Sequence, residues 1–115
     1  MVEDGRIAAV GPACEGEHFA GRIVEARGRY LAPGFIDIHT HGAGGSDFMD
    51  GTEEAFIKAC VTHARHGTTA LLPTTLAGED GELRRVFQAF CRARSRAYPG
   101  ARMLGLHLEG PYFSR

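Results

Sequence analysis

The chain has 115 residues, enough for one small domain, and 43% of them are hydrophobic, as in an ordinary globular protein. Its formal net charge of -1 gives no overall reason to expect nucleic acid or an anionic membrane as a partner. No apolar stretch approaches the roughly 20 residues that span a bilayer, and no basic segment followed by an apolar run indicates a signal peptide.

The three cysteines, Cys14, Cys60 and Cys91, are far apart and form no C-x-x-C pair. They therefore indicate neither a disulfide framework nor a zinc finger. A reducing environment fits this usage best, and we expect a cytoplasmic protein.

Arginine is concentrated in the last third of the chain, where Glu109 is the only acidic residue after Glu82. No aromatic residues interleave with these arginines to form a stacking platform for bases. We interpret the arginines as a solvated helix face and expect no nucleic-acid partner.

The N-terminal part of the chain predicts short strands divided by turn residues. Gly5–Pro12 and Arg22–Gly34 are strand-like segments bounded by glycine and proline.

After Gly34, strand and helix patterns alternate. Phe35–His41 is apolar on both faces, which suits a buried parallel strand. The loop GAGGSDFMDG follows and is predicted to be mobile, and a helix then begins after the N-cap Thr52 and ends before Gly67. Beyond it we predict a strand at Thr68–Thr75, a helix from near Asp80 that stops at Tyr98–Gly100, and a last strand at Ala101–Pro111.

This order predicts an α/β fold with a parallel sheet and right-handed crossovers. Function in such sheets gathers at the C-terminal ends of the strands. The polar clusters lie at those predicted ends: His39 and His41, Thr74 and Thr75, and His107 and Glu109.

The first of these clusters predicts a cation site. Residues two apart in a strand point to the same side, so His39 and His41 share a face with Asp37. Two neutral imidazoles on a rigid strand can bind one cation. The H-x-H motif is weak evidence alone, because histidine pairs on half-exposed strands are often only polar surface.

The last strand strengthens this interpretation. Glu109 lies two residues after His107, and a buried carboxylate is costly unless it is paired or binds a metal. In one parallel sheet, Glu109 would project from the same rim as the histidine pair. Two histidines and a carboxylate, with positions left for water, predict a catalytic metal site.

Neighbouring polar residues are expected to support the site. His107 is either a ligand or, in the interpretation we favour, a residue that orients Glu109 or substrate. Asp37 either supports the ligands or bonds to nearby backbone. Thr74 either contacts substrate or caps the turn after Leu72–Pro73.

The remaining histidines are not expected to bind metal. His63 and His66 lie on a helix that should pack outside the sheet, and a cation at His66 would suit the last helical turn. His18 lies in a loop and indicates no function. The GAGG segment lacks the lysine and Ser/Thr of a phosphate-binding P-loop.

Three stretches carry a resemblance to a known family. YLAPGFIDIHTHGAGGSDFMDG resembles the start of the metal site of the amidohydrolase superfamily, which includes dihydroorotases and hydantoinases. HGTTALLPTT and GLHLEGPYFS resemble the N-acetylglucosamine-6-phosphate deacetylases, and HLEGP is the most specific motif. The resemblance covers nearly the whole chain.

The resemblance implies an incomplete (β/α)8 barrel, with the first three βα strands over residues 34–115, preceded by part of a small β-sandwich over residues 1–33. It implies one or two divalent ions held by His39, His41 and Glu109, with Zn²⁺ favoured over Fe²⁺, Co²⁺ or Mn²⁺. The implied reaction is hydrolysis of N-acetylglucosamine 6-phosphate to glucosamine 6-phosphate and acetate. The family's catalytic aspartate has no counterpart here, so the chain is expected to be an N-terminal fragment.

Two other functions remain open from the sequence. One is hydrolysis of a cyclic amide, as in dihydroorotases and hydantoinases. The other is a non-catalytic, truncated metal-binding module. We expect the complete protein to be a homodimer, and we expect the fragment to self-associate because two helices can cover only one face of its three strands.

Overall fold

The structure, a computed structural model, describes residues 1–12 and 20–110. Cys14, His18 and the predicted strand end at Pro111 lie outside the described residues. The chain divides into two compact units, Met1–Leu31 and Ala32–Arg115. This division falls close to the predicted boundary after residue 33, and the assignment of the first unit to a β-sandwich stays a prediction.

The first unit contains a short antiparallel hairpin. Strand β1 (Val2–Glu3) pairs with strand β2 (Arg6–Ile7). Asp4 and Gly5, which form the turn between them, have φ values of 48° and 73°. Positive φ at both central residues is the pattern of the tightest hairpin turns, for which Asp-Gly is a preferred sequence.

The two N-terminal strands predicted from the sequence are largely absent. Of the segment predicted over residues 5–12, only Arg6–Ile7 is a strand, and residues 22–34 form none. β-Branched residues favour extended backbone, but a strand also requires a ladder to a neighbouring strand. Residues 22–34 pair with no strand in the described part of the chain.

The second unit is built on a parallel sheet with one central strand, which confirms the predicted α/β class. Strand β6 pairs in parallel with β3, β7 and β8. The elements in chain order are β3 (Phe35–Thr40), β4 (Gly42–Ala43), β5 (Ser46–Asp47), a 3-10 helix (Phe48–Asp50), α1 (Glu53–Arg65), β6 (Thr68–Thr75), α2 (Asp80–Arg94), β7 (Arg102–Met103) and β8 (His107–Leu108).

The last predicted strand is interrupted. Residues 101–111 were predicted as one strand, whereas the structure has two short strands, β7 and β8, on either side of Gly105. A glycine inside a strand contributes no side chain to pack and weakens the ladder. Both pieces still pair in parallel with β6, so the segment runs alongside β6 in the direction that the prediction required.

The helix boundaries follow from capping chemistry. The Thr52 hydroxyl accepts the Ala55 N–H at 3.2 Å, as predicted for an N-cap, and α1 ends two residues before Gly67. Helix α2 begins at Asp80 as predicted but ends at Arg94, before the predicted stop at Tyr98. The Ser95 hydroxyl there donates to the Arg92 carbonyl at 2.8 Å and satisfies one of the last acceptors. In the described part of the chain, neither α1 nor α2 has the length and apolar character of a membrane-spanning helix.

The segment predicted as a mobile loop has a defined structure. β4 and β5 form a hairpin whose central residues, Gly44 and Gly45, have φ values of 64° and 76°. Asp47 caps the 3-10 helix that follows, because its carboxylate accepts the Met49 N–H at 2.8 Å. The double glycine is therefore a tight-turn signal.

The core lies between the helices and one face of the sheet. The rings of Phe48 and Phe56 are in contact, with their centroids 4.9 Å apart. Strand β3 was expected to be buried, and this prediction is wrong for the described residues. Its Ile36 and Ile38 side chains are each 64% exposed. The core consists of Phe48, Phe56, Ala59, Cys60, Leu71, Val86, Ala89, Phe90, Ala93, Ala101 and Met103.

Candidate metal centre

Three side chains converge at one end of the parallel sheet. His39 is near the end of β3, His41 follows it, and Glu109 follows β8. The Nε2 atom of His39 lies 3.0 Å from the Oε2 atom of Glu109, and the Nε2 atom of His41 lies 3.2 Å from the same oxygen. One carboxylate oxygen therefore faces both imidazoles.

Strand β6 determines this convergence. Thr40 on β3 lies opposite Pro73, and His107 on β8 lies opposite Thr74. Both neighbours run parallel to β6, so their C-terminal ends reach the same rim of the sheet. The two histidines and Glu109 are brought together by that shared rim.

The donor set fits a divalent ion. The three ligand atoms, two imidazole nitrogens and one carboxylate oxygen, all lie within 4.8 Å of one another. Atoms bound at about 2.0–2.1 Å to a tetrahedral ion lie roughly 3.3–3.4 Å apart, and the two nitrogen–oxygen distances of 3.0 and 3.2 Å are close to this value. Imidazole and carboxylate donors suit Zn²⁺ and the neighbouring first-row ions.

Ion pairing between Glu109 and the two histidines would contribute too little stability to explain why these side chains converge. The side chains of His39, His41 and Glu109 are 47%, 36% and 41% exposed. Pairs with this exposure contribute about 0–1 kcal/mol. The same exposure leaves room for water or substrate beside the donors, which is a property of catalytic metal sites.

The second nitrogen of His41 is a further feature of the site. Its Nδ1 atom is buried and has no hydrogen-bond partner among the described residues. A histidine that binds a metal through Nε2 carries its hydrogen on Nδ1 and normally donates it to an acceptor. The described part of the chain supplies no such acceptor for His41.

His107 contacts His39 and the backbone of β3. Its Nδ1 atom lies 3.0 Å from the Ile38 carbonyl, which can only accept, so Nδ1 carries the hydrogen. Its ring packs edge-on against His39 with the centroids 4.6 Å apart. Within the described residues no hydrogen bond joins it to Glu109, the partner expected from the sequence.

Asp37 and Thr74 bond to backbone. The Asp37 carboxylate accepts the His39 N–H at 3.0 Å, which is the backbone alternative considered for it. The buried Thr74 hydroxyl accepts the Thr40 N–H at 3.1 Å and donates to the Leu72 carbonyl at 3.2 Å. Its donor is used within β6, and one of its acceptor positions holds β3 beside β6.

Sequence reasoning missed a contact between Thr40 and His63. The Nε2 atom of His63 on α1 lies 3.2 Å from the Thr40 hydroxyl. His66, three residues later, is exposed, and its Nδ1 atom lies 2.9 Å from the Thr62 carbonyl of its own helix. Strand alternation indicates only that Thr40 points away from its two histidine neighbours, and the position of His63 depends on the packing of α1.

The parallel α/β sheet and the donor set at its rim are compatible with the amidohydrolase family, whose model matches residues 30–114, and the chain belongs to that family. The chain is 34% identical over 113 residues to the N-acetylgalactosamine-6-phosphate deacetylase of Escherichia coli O157:H7, covering 98% of this chain and 28% of that protein. It is 34% identical over 119 residues to the N-acetylglucosamine-6-phosphate deacetylase of Bacillus subtilis (strain 168), covering 98% of this chain and 29% of that protein. The chain therefore spans under a third of the length of these curated relatives.

The chain is also similar in structure to a solved deacetylase. The crystal structure of N-acetyl-D-glucosamine-6-phosphate deacetylase from Mycobacterium smegmatis matches with a TM-score of 0.62 and 34% identity, covering 71% of this chain and 22% of that one. A mutant of that enzyme, in complex with N-acetyl-D-glucosamine-6-phosphate, matches with the same score and identity and is covered over 20% of its length.

Proposed function

We propose that this chain forms the first three strands and two helices of a (β/α)8 barrel in a metal-dependent deacetylase that acts on N-acetylglucosamine 6-phosphate. One observation carries the proposal: donor atoms of His39, His41 and Glu109 lie within 4.8 Å of one another at the rim of a parallel sheet. The family membership and the deacetylase relatives support this interpretation over hydrolysis of a cyclic amide.

In this proposal His39 and His41 bind a divalent ion through Nε2, and Glu109 binds it through Oε2. Such an ion supplies Lewis-acid polarisation of the acetamido carbonyl and lowers the pKa of water to about 7. We propose Zn²⁺ as the first candidate, because two imidazoles and one carboxylate form a typical catalytic zinc donor set. Because one oxygen of Glu109 faces both histidines, its second oxygen would be available for a second ion.

The surrounding residues hold these ligands in place. His107 packs against the His39 ring, and Asp37 accepts the His39 N–H. Thr74 fixes the end of β3 through the Thr40 N–H. A ligand that is held by its neighbours binds metal more tightly than a free one, because less order is lost on binding.

The substrate class follows from the relatives, whose names specify acetylated amino sugars bearing a 6-phosphate. Hydrolysis adds water to the acetamido carbonyl, breaks the amide C–N bond and releases acetate and the protonated amine. The leaving amine requires an acid that protonates it. We assign that acid and the phosphate-binding residues to the remainder of the enzyme, which we propose to be a cytoplasmic homodimer.

The test is an assay of the complete gene product that carries this chain, loaded with Zn²⁺. We expect acetate release from N-acetylglucosamine 6-phosphate or its galactosamine counterpart, and we expect His39→Asn and Glu109→Gln to abolish it. His66→Asn is the matched control, since His66 is an exposed histidine that bonds only within α1. Unchanged turnover in the ligand variants would contradict the proposal. Hydrolysis of dihydroorotate or hydantoin instead would favour a cyclic-amide enzyme, and metal binding without any turnover would favour a non-catalytic module.

A further inference from the structure

We propose that His63 is a positioning residue for the metal ligands, acting through Thr40. This inference rests on the proposed metal site, but it concerns a helix residue that contributes no ligand to that site. Thr40 lies between His39 and His41 in the sequence, and its hydroxyl lies 3.2 Å from Nε2 of His63.

The backbone ladder alone does not fix the end of β3. The pairing register between β3 and β6 is irregular between Asp37 and Thr40. Thr40 lies opposite Pro73, which has no N–H to donate to the ladder. Side-chain hydrogen bonds therefore add to the backbone bond from the Phe48 N–H to the His41 carbonyl, 2.8 Å, in holding this end of the strand.

Thr40 makes the side-chain hydrogen bonds that supplement the ladder at this end. Its N–H donates to the Thr74 hydroxyl at 3.1 Å, and its own hydroxyl donates to the Gly42 carbonyl at 3.3 Å. A hydroxyl has one hydrogen, and a carbonyl can only accept. Both contacts of the Thr40 hydroxyl are satisfied together only when His63 donates from Nε2.

This bond fixes the direction of both ligand histidines. In a strand, the side chains before and after a residue point to the opposite face from its own. Holding the Thr40 side chain towards α1 therefore holds His39 and His41 away from α1, where Glu109 meets them. The Thr40 and His63 side chains are both partly buried, so water competes less for the bond than it would at an exposed site.

The test uses three variants of the 115-residue chain. His63→Leu removes the hydrogen bond at similar volume, and His63→Gln keeps an N–H donor near the position of Nε2. His66→Leu is the matched control on the same helix. Zn²⁺ affinity is measured by calorimetry, and near-UV circular dichroism checks that each variant keeps its packing.

We expect His63→Leu to weaken Zn²⁺ binding about tenfold, the low end for residues that support metal ligands. His63→Gln should recover most of the loss, and His66→Leu should bind as the wild type does. Equal affinity in His63→Leu and wild type would overturn the inference. A His63→Gln variant as weak as His63→Leu would also overturn it, because the effect would then come from shape alone.

A readout without metal separates this inference from the proposed function. In ¹H–¹⁵N spectra of the metal-free chain, His63 should show a hydrogen on Nε2, and His63→Leu should shift the imidazole signals of His39 and His41. A hydrogen found only on Nδ1, or unshifted ligand signals, would overturn the positioning role. Wild-type chain that binds no Zn²⁺ while these shifts occur would contradict the proposed metal site and leave the positioning role standing.

Discussion

The Nε2 atom of His39 lies 3.0 Å from the Oε2 atom of Glu109, although seventy positions separate the two residues in the chain. The two residues belong to neighbouring regions of the same sheet rim because β3 and β8 both pair with β6. His41 approaches the same oxygen at 3.2 Å. The site is thus a product of the sheet pairing, and it depends on both pairings at once.

The 115-residue chain should bind one divalent ion weakly at this site. Its ligands are partly exposed, and the Nδ1 atom of His41 has no acceptor among the described residues. We expect a Kd of about 1 μM or weaker, equivalent to about 8 kcal/mol or less, against about 10–16 kcal/mol for structural zinc sites. Calorimetric titration with Zn²⁺ or Co²⁺ measures it.

The double variant His39→Asn/His41→Asn should lose this binding, whereas His66→Asn should retain it. Equal affinity in the double variant and the wild type would rule the site out. Tight binding by the wild type would show that the described ligands are already complete, which contradicts a partly built site.

The isolated chain should not turn over N-acetylglucosamine 6-phosphate. Proton transfer by a positioned acid or base contributes about 10²–10⁴-fold to hydrolysis, and the proposed function assigns this acid to the remainder of the enzyme. Acetate release by the purified, Zn²⁺-loaded chain is the measurement. Turnover that disappears in Glu109→Gln would prove this prediction wrong.

The isolated chain should also self-associate at low micromolar concentration. Phe35, Ile36 and Ile38 are exposed by 68%, 64% and 64% on β3, a strand with one neighbour among the described residues. Burying each such side chain contributes about 1.5–3 kcal/mol, which together rivals the roughly 5–15 kcal/mol stability of a domain. Light scattering after size-exclusion chromatography reports the mass.

The matched pair for this measurement is Ile36→Lys and Gln88→Lys, which add the same charge at an exposed apolar strand position and an exposed helix position. A charge on an edge strand opposes pairing with another chain. Ile36→Lys should therefore raise the monomer fraction and Gln88→Lys should leave it unchanged. A sharp wild-type monomer peak with fixed near-UV signals would contradict the prediction.

The fold should lose stability at alkaline pH. Burial raises the pKa of the Cys60 thiol from 9.0 to about 11. The folded chain then holds this proton more tightly than the unfolded chain, so the stabilisation is complete below pH 9 and is lost as the pH approaches 11. Burial likewise raises the pKa of Tyr98 from 10.0 to about 12, which extends the loss to higher pH. We expect a loss of about 2 kcal/mol between pH 7 and pH 10.5 from Cys60 alone.

Urea unfolding at both pH values measures this loss. Cys60→Ala should reduce the difference between the two pH values, and Cys91→Ala, which changes an exposed cysteine, should not. The same alkaline loss in Cys60→Ala and wild type would show that other groups cause it.

Local signals predicted the second unit well. The N-cap Thr52, the helix start at Asp80 and strand β6 at Thr68–Thr75 all lie where the pattern placed them. Each depends on interactions within a few residues, which the sequence displays directly. The strand predicted over residues 22–34 is absent because a strand requires hydrogen bonds to a neighbouring strand, and the local sequence does not indicate which segment would pair with it.

In the candidate site, too, the contacts that follow from local patterns were predictable and the contact that depends on packing was not. The shared face of His39 and His41 follows from strand alternation, and their approach to Glu109 follows from a parallel sheet. The bond between Thr40 and His63 depends on how α1 packs against β3, which no local pattern specifies. The hairpin at Gly44–Gly45 is different, because its turn signal was present in the sequence and was interpreted as a mobile loop.

The distance in sequence between His39 and Glu109 also sets an order of events during synthesis. At roughly 5–20 residues per second, a ribosome takes about 4–14 s to add the seventy residues that separate them. For that interval the nascent chain carries two imidazoles and lacks the carboxylate that completes the donor set. Because Glu109 reaches them only when β8 has paired with β6, the donor set is complete only after the sheet has assembled, and an ion held by all three ligands would therefore bind a folded chain.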